Sequence, residues 1–245
     1  MIMERENGLF CEEIAIGFHD CDWYSRLKPS AVIRQLTKLA KDHYEAKGLS
    51  RRVMADMGVV SLISDLRVEW LRPVVQGDKL VYMTYELGPK GAVCIRDYVI
   101  REEAGALVGR GRSAWLMCDV ESHRILRPRG LPFPIGEGED LLGDFPVQQA
   151  LPEPEGALPV GERPVRFSDI DGNGHMNSAF YGDVACNCLP LELMERGLGA
   201  FYIRYYHEAR LGDTLQLFER AGERNVVLGL VNGKKSFGFE GWGME

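Results

Sequence analysis

No run of about 18 apolar residues occurs in this 245-residue sequence, so no membrane-crossing helix is expected. It also has no CxxC pair, no GxGxxG and no phosphate-binding P-loop, and four of the five histidines (His19, His43, His123, His207) are scattered without ligand spacing. Neither a metal nor a nucleotide cofactor is therefore implied. The six cysteines (Cys11, Cys21, Cys94, Cys118, Cys186, Cys188) form no paired framework, and a chain of this length buries a core without disulfides. Basic residues do not predominate: 29 Lys and Arg stand against 36 Asp and Glu, a formal net charge of −7. That balance argues against nucleic acid as the main partner. The opening segment through Phe18 carries four glutamates and no long apolar run, unlike a secretory leader. A reducing, cytoplasmic setting is the expectation.

Positive charge is missing altogether between Arg129 and Arg163, a stretch with seven acids. Residues 128–162 also hold seven of the twelve prolines. Such a stretch is a poor core builder and is expected as an extended connector. It divides the chain into a unit at 1–129, a linker at 130–162 and a unit at 163–245.

The two units repeat one another. Leu66-Arg67-Val68-Glu69-Trp70 before Gly77-Asp78-Lys79-Leu80 matches Phe201-Tyr202-Ile203-Arg204-Tyr205 before Gly212-Asp213-Thr214-Leu215 at a constant offset of 135. Upstream, Asp20-Cys21-Asp22 matches Asp169-Ile170-Asp171 at an offset of 149. In the first unit Ser30 is expected to cap a helix whose buried face is Val32, Ile33, Leu36, Leu39, Ala40 and Tyr44, stopped at Gly48. In the second, Asn177 is expected to open a helix through Leu189, broken by Pro190. Alternating segments follow each: Leu80–Leu87, Val93–Arg101 and Leu107–Asp119, then Thr214–Glu219, Asn225–Leu230 and Ser236–Glu240. They are expected as antiparallel strands. One helix across a curled antiparallel sheet satisfies this order, since the sheet needs one face covered. The expected class is α+β, a tandem hotdog.

Chemistry concentrates in Ser168-Asp169-Ile170-Asp171-Gly172-Asn173-Gly174-His175-Met176-Asn177. The D-x-D-G-N-G run imitates a calcium loop, but its twelfth position is Phe180 where a bidentate Glu is required. Asp, Asn and Ser are also what a plain turn and helix cap use. His175 is not needed for that, and the repeat adds a second argument. Opposite Asn173, His175 and Glu208 the first unit has Tyr24, Arg26 and Pro73. Residues that one copy dispenses with read as a site and not as scaffold.

This motif, followed by Tyr205-Tyr206-His207-Glu208-Ala209, resembles that of the acyl-acyl-carrier-protein thioesterase family, whose motif has the form Ser-Asp-Leu-Asp-x-Asn-x-His-x-Asn-Asn. In the first unit, Ser113-Ala114-Trp115-Leu116-Met117 resembles the family's Ser-x-Trp-x-Met strand. The departures are Gly174, Ser178 and Ala209, the last standing where plant members carry a cysteine. The resemblance implies a tandem hotdog, an acyl carrier protein as partner, and Asp171, Asn173, His175 and Glu208 as catalytic positions.

Glu208 is then expected as general base or nucleophile, His175 as the group that polarises or shuttles a proton, Asn173 as holding its orientation, and Asp171 as support. The backbone N–H groups of Met176, Asn177 and Ser178, opening the helix, are expected to face the oxyanion. His207, if on a strand, points away from Glu208. The acyl chain is expected against Val53, Met54, Met57, Val59 and Val60. Arg51-Arg52, Arg124/Arg127/Arg129 and Lys234-Lys235 are candidate docking cations for an acidic carrier. A monomer or a homodimer fits the repeat. A hotdog thioesterase for coenzyme A esters and a non-catalytic acyl-binding protein are the rival readings.

Overall fold

The computed structural model describes residues 2–5, 9–146, 151 and 155–244. The first unit runs β1 (Ile2–Arg5), β2 (Leu9–Ala15), α1 (Pro29–Ala46), α2 (Arg51–Asp56), β3 (Val59–Trp70), β4 (Lys79–Lys90), β5 (Val93–Glu102) and β6 (Leu107–Asp119). The second runs β7 (Leu158–Pro164), α3 (Phe180–Cys186), α4 (Leu191–Arg196), β8 (Leu198–Tyr205), β9 (Thr214–Arg220), β10 (Asn225–Val231) and β11 (Lys234–Gly243). The described strands make one antiparallel sheet in the order β1-β2-β4-β5-β6-β3-β8-β11-β10-β9-β7. Every expected strand is present, several a few residues longer.

The sheet is continuous because β3 pairs with β8, and the register explains how. Leu66 faces Ile203, Arg67 faces Tyr202 and Val68 faces Phe201. At the repeat offset, Leu66 corresponds to Phe201 and Val68 to Ile203, so each strand meets its own counterpart about the Arg67–Tyr202 pair. That is the self-complementary pattern of a two-fold interface, made within one chain. β1 aside, the strand order on one side mirrors the other.

α1 lies against this sheet because its apolar stripe recurs at helical spacing. Val32, Ile33, Leu36 and Leu39 are fully buried in a core shared with Val184, Phe201, Ile203 and Phe237 of the second unit. Its start differs from the expectation. Lys28 is the N-cap and Pro29 opens the helix, since the fixed φ of proline suits the first helical position. Ser30 instead lies buried in the first turn and bonds the Asp183 carboxylate of α3. α1 and α3 approach at Gly182, where a Cβ would lie 3.0 Å from both Ser30 N and Ile33 Cδ1.

α3 is shorter than expected. The Asn177 side chain accepts the Ala179 amide at 3.0 Å, turning the chain locally so that the helix starts at Phe180. Of the stretch expected as an extended connector, residues 147–150 and 152–154 lie outside the described residues, and the described part carries buried side chains. Phe133 is buried with Ala40, Tyr44, Met54, Val59, Trp115 and Met117. Phe145 is buried beneath the guanidinium groups of Arg67, Arg110 and Arg112, 4.9–6.0 Å from its ring centre. Arg112 donates to the Phe145 carbonyl and to Asp140, and β7 begins at Leu158, inside the expected linker. Two aromatic rings among the prolines supply the burial that average composition conceals.

Candidate active site

The site loop is a closed turn built from its own polar groups. After β7, both Asp169 oxygens accept from Arg163, at 3.0 and 2.7 Å, and Oδ2 also accepts the Arg166 amide at 2.8 Å. The Asp171 amide donates to the His175 carbonyl at 2.9 Å, and Asp171 Oδ1 accepts the Asn173 amide at 2.8 Å. Gly174, at φ +80°, closes the turn in the left-handed region. Asn173 and His175 are thereby held out on a short rigid projection.

The first unit repeats the backbone bonds of this turn, with Arg34 and not an equivalent of Arg163 on its first aspartate, Asp20. The Asp22 amide donates to the Arg26 carbonyl, Asp22 Oδ1 accepts the Tyr24 amide, and Lys28 N donates to Asp20 O as Asn177 N does to Asp169 O. Ser25, at φ +60°, takes the place of Gly174. Leu27 N donates to Val74 O as Met176 N does to Ala209 O. The structural correspondence of Tyr24 with Asn173, Arg26 with His175 and Pro73 with Glu208 follows directly. Asp171 makes the same turn bond as Asp22, so building the turn is a role that both copies share.

Glu208 follows β8 in a loop, not on a strand. Tyr206 N and His207 N both donate to the Ser236 carbonyl, and this bend brings His207 and Glu208 to the same cleft. The expectation that His207 points away rested on strand alternation, which the bend removes. Its Nδ1 lies 2.9 Å from the Lys235 carbonyl; a carbonyl only accepts, so Nδ1 carries the proton.

His175 Nε2 is 2.9 Å from Glu208 Oε2, and Arg210 Nη2 is 3.5 Å from the same oxygen. An ionised carboxylate only accepts, so the imidazole proton sits on Nε2. Both side chains line a cleft with Asp171, Asn173 and Ser178, and the opposite wall is Thr37 and Lys41 of α1, Ser61–Ser64 of β3, and Trp115 and Leu116 of β6. The His175–Glu208 pair comes from one unit and the opposite wall from the other. Behind the wall, burial and the Glu208 charge push the Cys118 thiol up, so it stays protonated and unreactive at neutral pH.

Three expectations need correction. Asn173 does not hold His175: its Oδ1 accepts from Arg51 Nη2 at 2.7 Å. The Met176 and Asn177 amides are spent on Ala209 O and Asp169 O, both at 2.8 Å. They are therefore not oxyanion donors, and because α3 begins at Phe180 they do not open a helix either. Of the three expected amides, Ser178 is the one with no acceptor among the described residues. Arg51 itself was anticipated only as a surface cation, since nothing local in sequence foretells a contact across 122 residues.

Two family models match the sequence: the acyl-ACP thioesterase N-terminal domain over residues 7–128 and the acyl-ACP thioesterase C-terminal domain over 157–234. The chain belongs to the acyl-ACP thioesterase family. It is a thioester hydrolase by that membership. Among solved structures, an acyl-ACP thioesterase from Bacteroides thetaiotaomicron is 21% identical with a TM-score of 0.79, covering 98% of this chain and 99% of its own. The 12:0-ACP thioesterase from Umbellularia californica is 16% identical with a TM-score of 0.82, covering 98% of each chain. At such identities the likeness shows the fold. No curated protein matches the sequence.

The residues expected to line an acyl tunnel in this thioesterase are placed elsewhere. Met54 and Val59 are packed in the core beneath α1, Met57 is exposed, and none of the five expected residues lines the cleft. The apolar contributions to the wall are Leu62, Ile63, Trp115 and Leu116.

Proposed function

We propose that the chain hydrolyses fatty acyl thioesters of acyl carrier protein, releasing free fatty acid and holo carrier and so ending chain elongation. The scaffold in this reading is a tandem hotdog, the second copy supplying the chemistry and the first the opposite wall. What carries it is the His175–Glu208 contact at 2.9 Å facing the cleft, in the one copy of a duplicated scaffold that has both groups.

The chemistry follows from these groups. Glu208 Oε2 is occupied by His175, which leaves Oε1 to take a proton from water as the water oxygen attacks the acyl carbon. Alternatively the same oxygen attacks the acyl carbon and expels the thiolate, which takes the His175 Nε2 proton. Water then cleaves the resulting anhydride to fatty acid and the Glu208 carboxylate, returning the proton to His175. The tetrahedral oxyanion is met by the Ser178 amide. On collapse the C–S bond breaks, and the departing thiolate takes its proton from the His175–Glu208 pair. Glu208→Ala and His175→Ala are each expected to lower kcat by ~10²–10⁴ with an unchanged unfolding midpoint. Near-native turnover in either variant contradicts that residue's role.

An acidic carrier needs local positive charge on a chain of net −7. Lys235 supports the Lys234-Lys235 pair as that docking group, because its carbonyl meets His207 and its ammonium lies 5.9 Å from the Tyr206 ring beside the cleft. Reversing both charges is expected to raise KM for carrier-linked ester several-fold at constant kcat. An unchanged KM rejects the assignment.

A further inference from the structure

In both copies, a short helix of the opposite unit reaches the projecting turn. In the copy without the histidine it is α4: Arg26 donates to the carbonyls of Met194 and Glu195 at 3.1 and 2.8 Å, and the Tyr24 hydroxyl lies 3.4 Å from Glu195 Oε1. In the copy with the histidine it is α2. Arg51 Nη2 donates to the Gly172 carbonyl at 3.0 Å and to Asn173 Oδ1 at 2.7 Å. The cross-unit contact is thus part of the duplicated design, with its chemistry changed in one copy.

That change has a consequence for Asn173. A guanidinium has five N–H donors and no acceptor, so the atom of the Asn173 amide that faces Arg51 is the oxygen. The planar amide then carries its two Nδ2 hydrogens in the other direction, and Asn173 lines the cleft. No described residue accepts from Nδ2. A freely rotating Asn173 presents either an acceptor or a donor to a developing oxyanion; Arg51 selects the donor.

We propose that Arg51 is a positioning residue of the thioesterase site: reaching from the first unit, it fixes the Asn173 amide so that its N–H donors serve the cleft. The inference rests on the thioester-hydrolysing reading of the cleft. It separates Arg51 from the docking role that its exposed position suggests, since a docking cation acts on the carrier and not on the acyl group.

The test compares Arg51→Ala, Arg51→Lys, Asn173→Ala and the double variant on two substrates, a carrier-linked acyl ester and the same acyl group as a carrier-free N-acetylcysteamine thioester. Arg51→Ala is expected to lose about tenfold in kcat, the lower range for removing a residue that orients another, by the same factor on both substrates. Added guanidinium is expected to restore part of that turnover. Arg51→Lys falls between, because a point ammonium lacks the fixed fork. In the Asn173→Ala background the further loss is absent, as it must be for a residue acting through Asn173. If Asn173→Ala is too slow to read, the carrier-free ester and guanidinium rescue decide.

A change confined to KM for the carrier-linked ester, or a loss that multiplies that of Asn173→Ala, overturns the proposal while leaving the thioesterase reading intact. Failure of the unsubstituted protein to release thiol from any ester defeats that reading itself, and the inference with it. Unchanged unfolding midpoints across the set exclude misfolding as the cause.

Discussion

Glu208 carries two loads on one oxygen, the His175 imidazole at 2.9 Å and the Arg210 guanidinium at 3.5 Å. Arg210 is mostly exposed, so water screens it, and Arg210→Ala is expected to change kcat far less than His175→Ala. Comparable losses in the two variants contradict that ranking. Elsewhere a histidine is kept neutral for structural reasons. His43 is buried against Phe10, its Nδ1 accepting from Arg96 at 2.9 Å. Burial first, then the nearby Arg96 and Lys47 charges, hold its pKa down at about 3 against an ordinary 6.5. Between those values the unfolded chain binds a proton that the folded chain refuses. His43 therefore lowers stability as pH falls below 6.5, by up to about 1.4 kcal/mol per pH unit. Urea midpoints at pH 7 and pH 5 are expected to separate less in His43→Gln than in the unsubstituted protein. Equal separations contradict the assignment.

Among the elements, the strands were legible because runs rich in Val, Ile, Tyr and Phe between Gly-containing turns are a local signal, although β5 and β10 bury nearly every side chain and not one in two. Helix ends were less so. Ser30 has the right chemistry for a cap, yet Pro29 takes the first position and α3 claims the hydroxyl. Asn177 opens a turn and not a helix because its side chain closes on the Ala179 amide. The site divides along the same line. His175 and Glu208 were legible from contrast between the two copies, whereas Arg51 and the β3 and β6 wall meet the site only through tertiary structure. Gly182 is a further tertiary demand: its missing Cβ lets α1 and α3 touch. Gly182→Leu is expected to cost about 1–3 kcal/mol by overpacking, read as a lower urea midpoint. An unaltered midpoint contradicts the close approach.

For the whole molecule, the β3–β8 register makes two units into one sheet and one shared core, and the cleft needs both. Residues 157–245 expressed alone are expected to be inactive toward thioesters, since they lack Arg51 and the wall from Thr37 to Leu116. Hydrolysis by that fragment contradicts the two-unit site. Hydrolysis of carrier-linked acyl esters at the His175–Glu208 pair is tested most directly by thiol release from palmitoyl-, lauroyl- and octanoyl-carrier protein beside the matching coenzyme A esters, with His175→Ala and Glu208→Ala in parallel. That assignment requires faster turnover of the carrier esters, lost in both variants. Equal or faster turnover of the coenzyme A esters, or release that survives both substitutions, contradicts it.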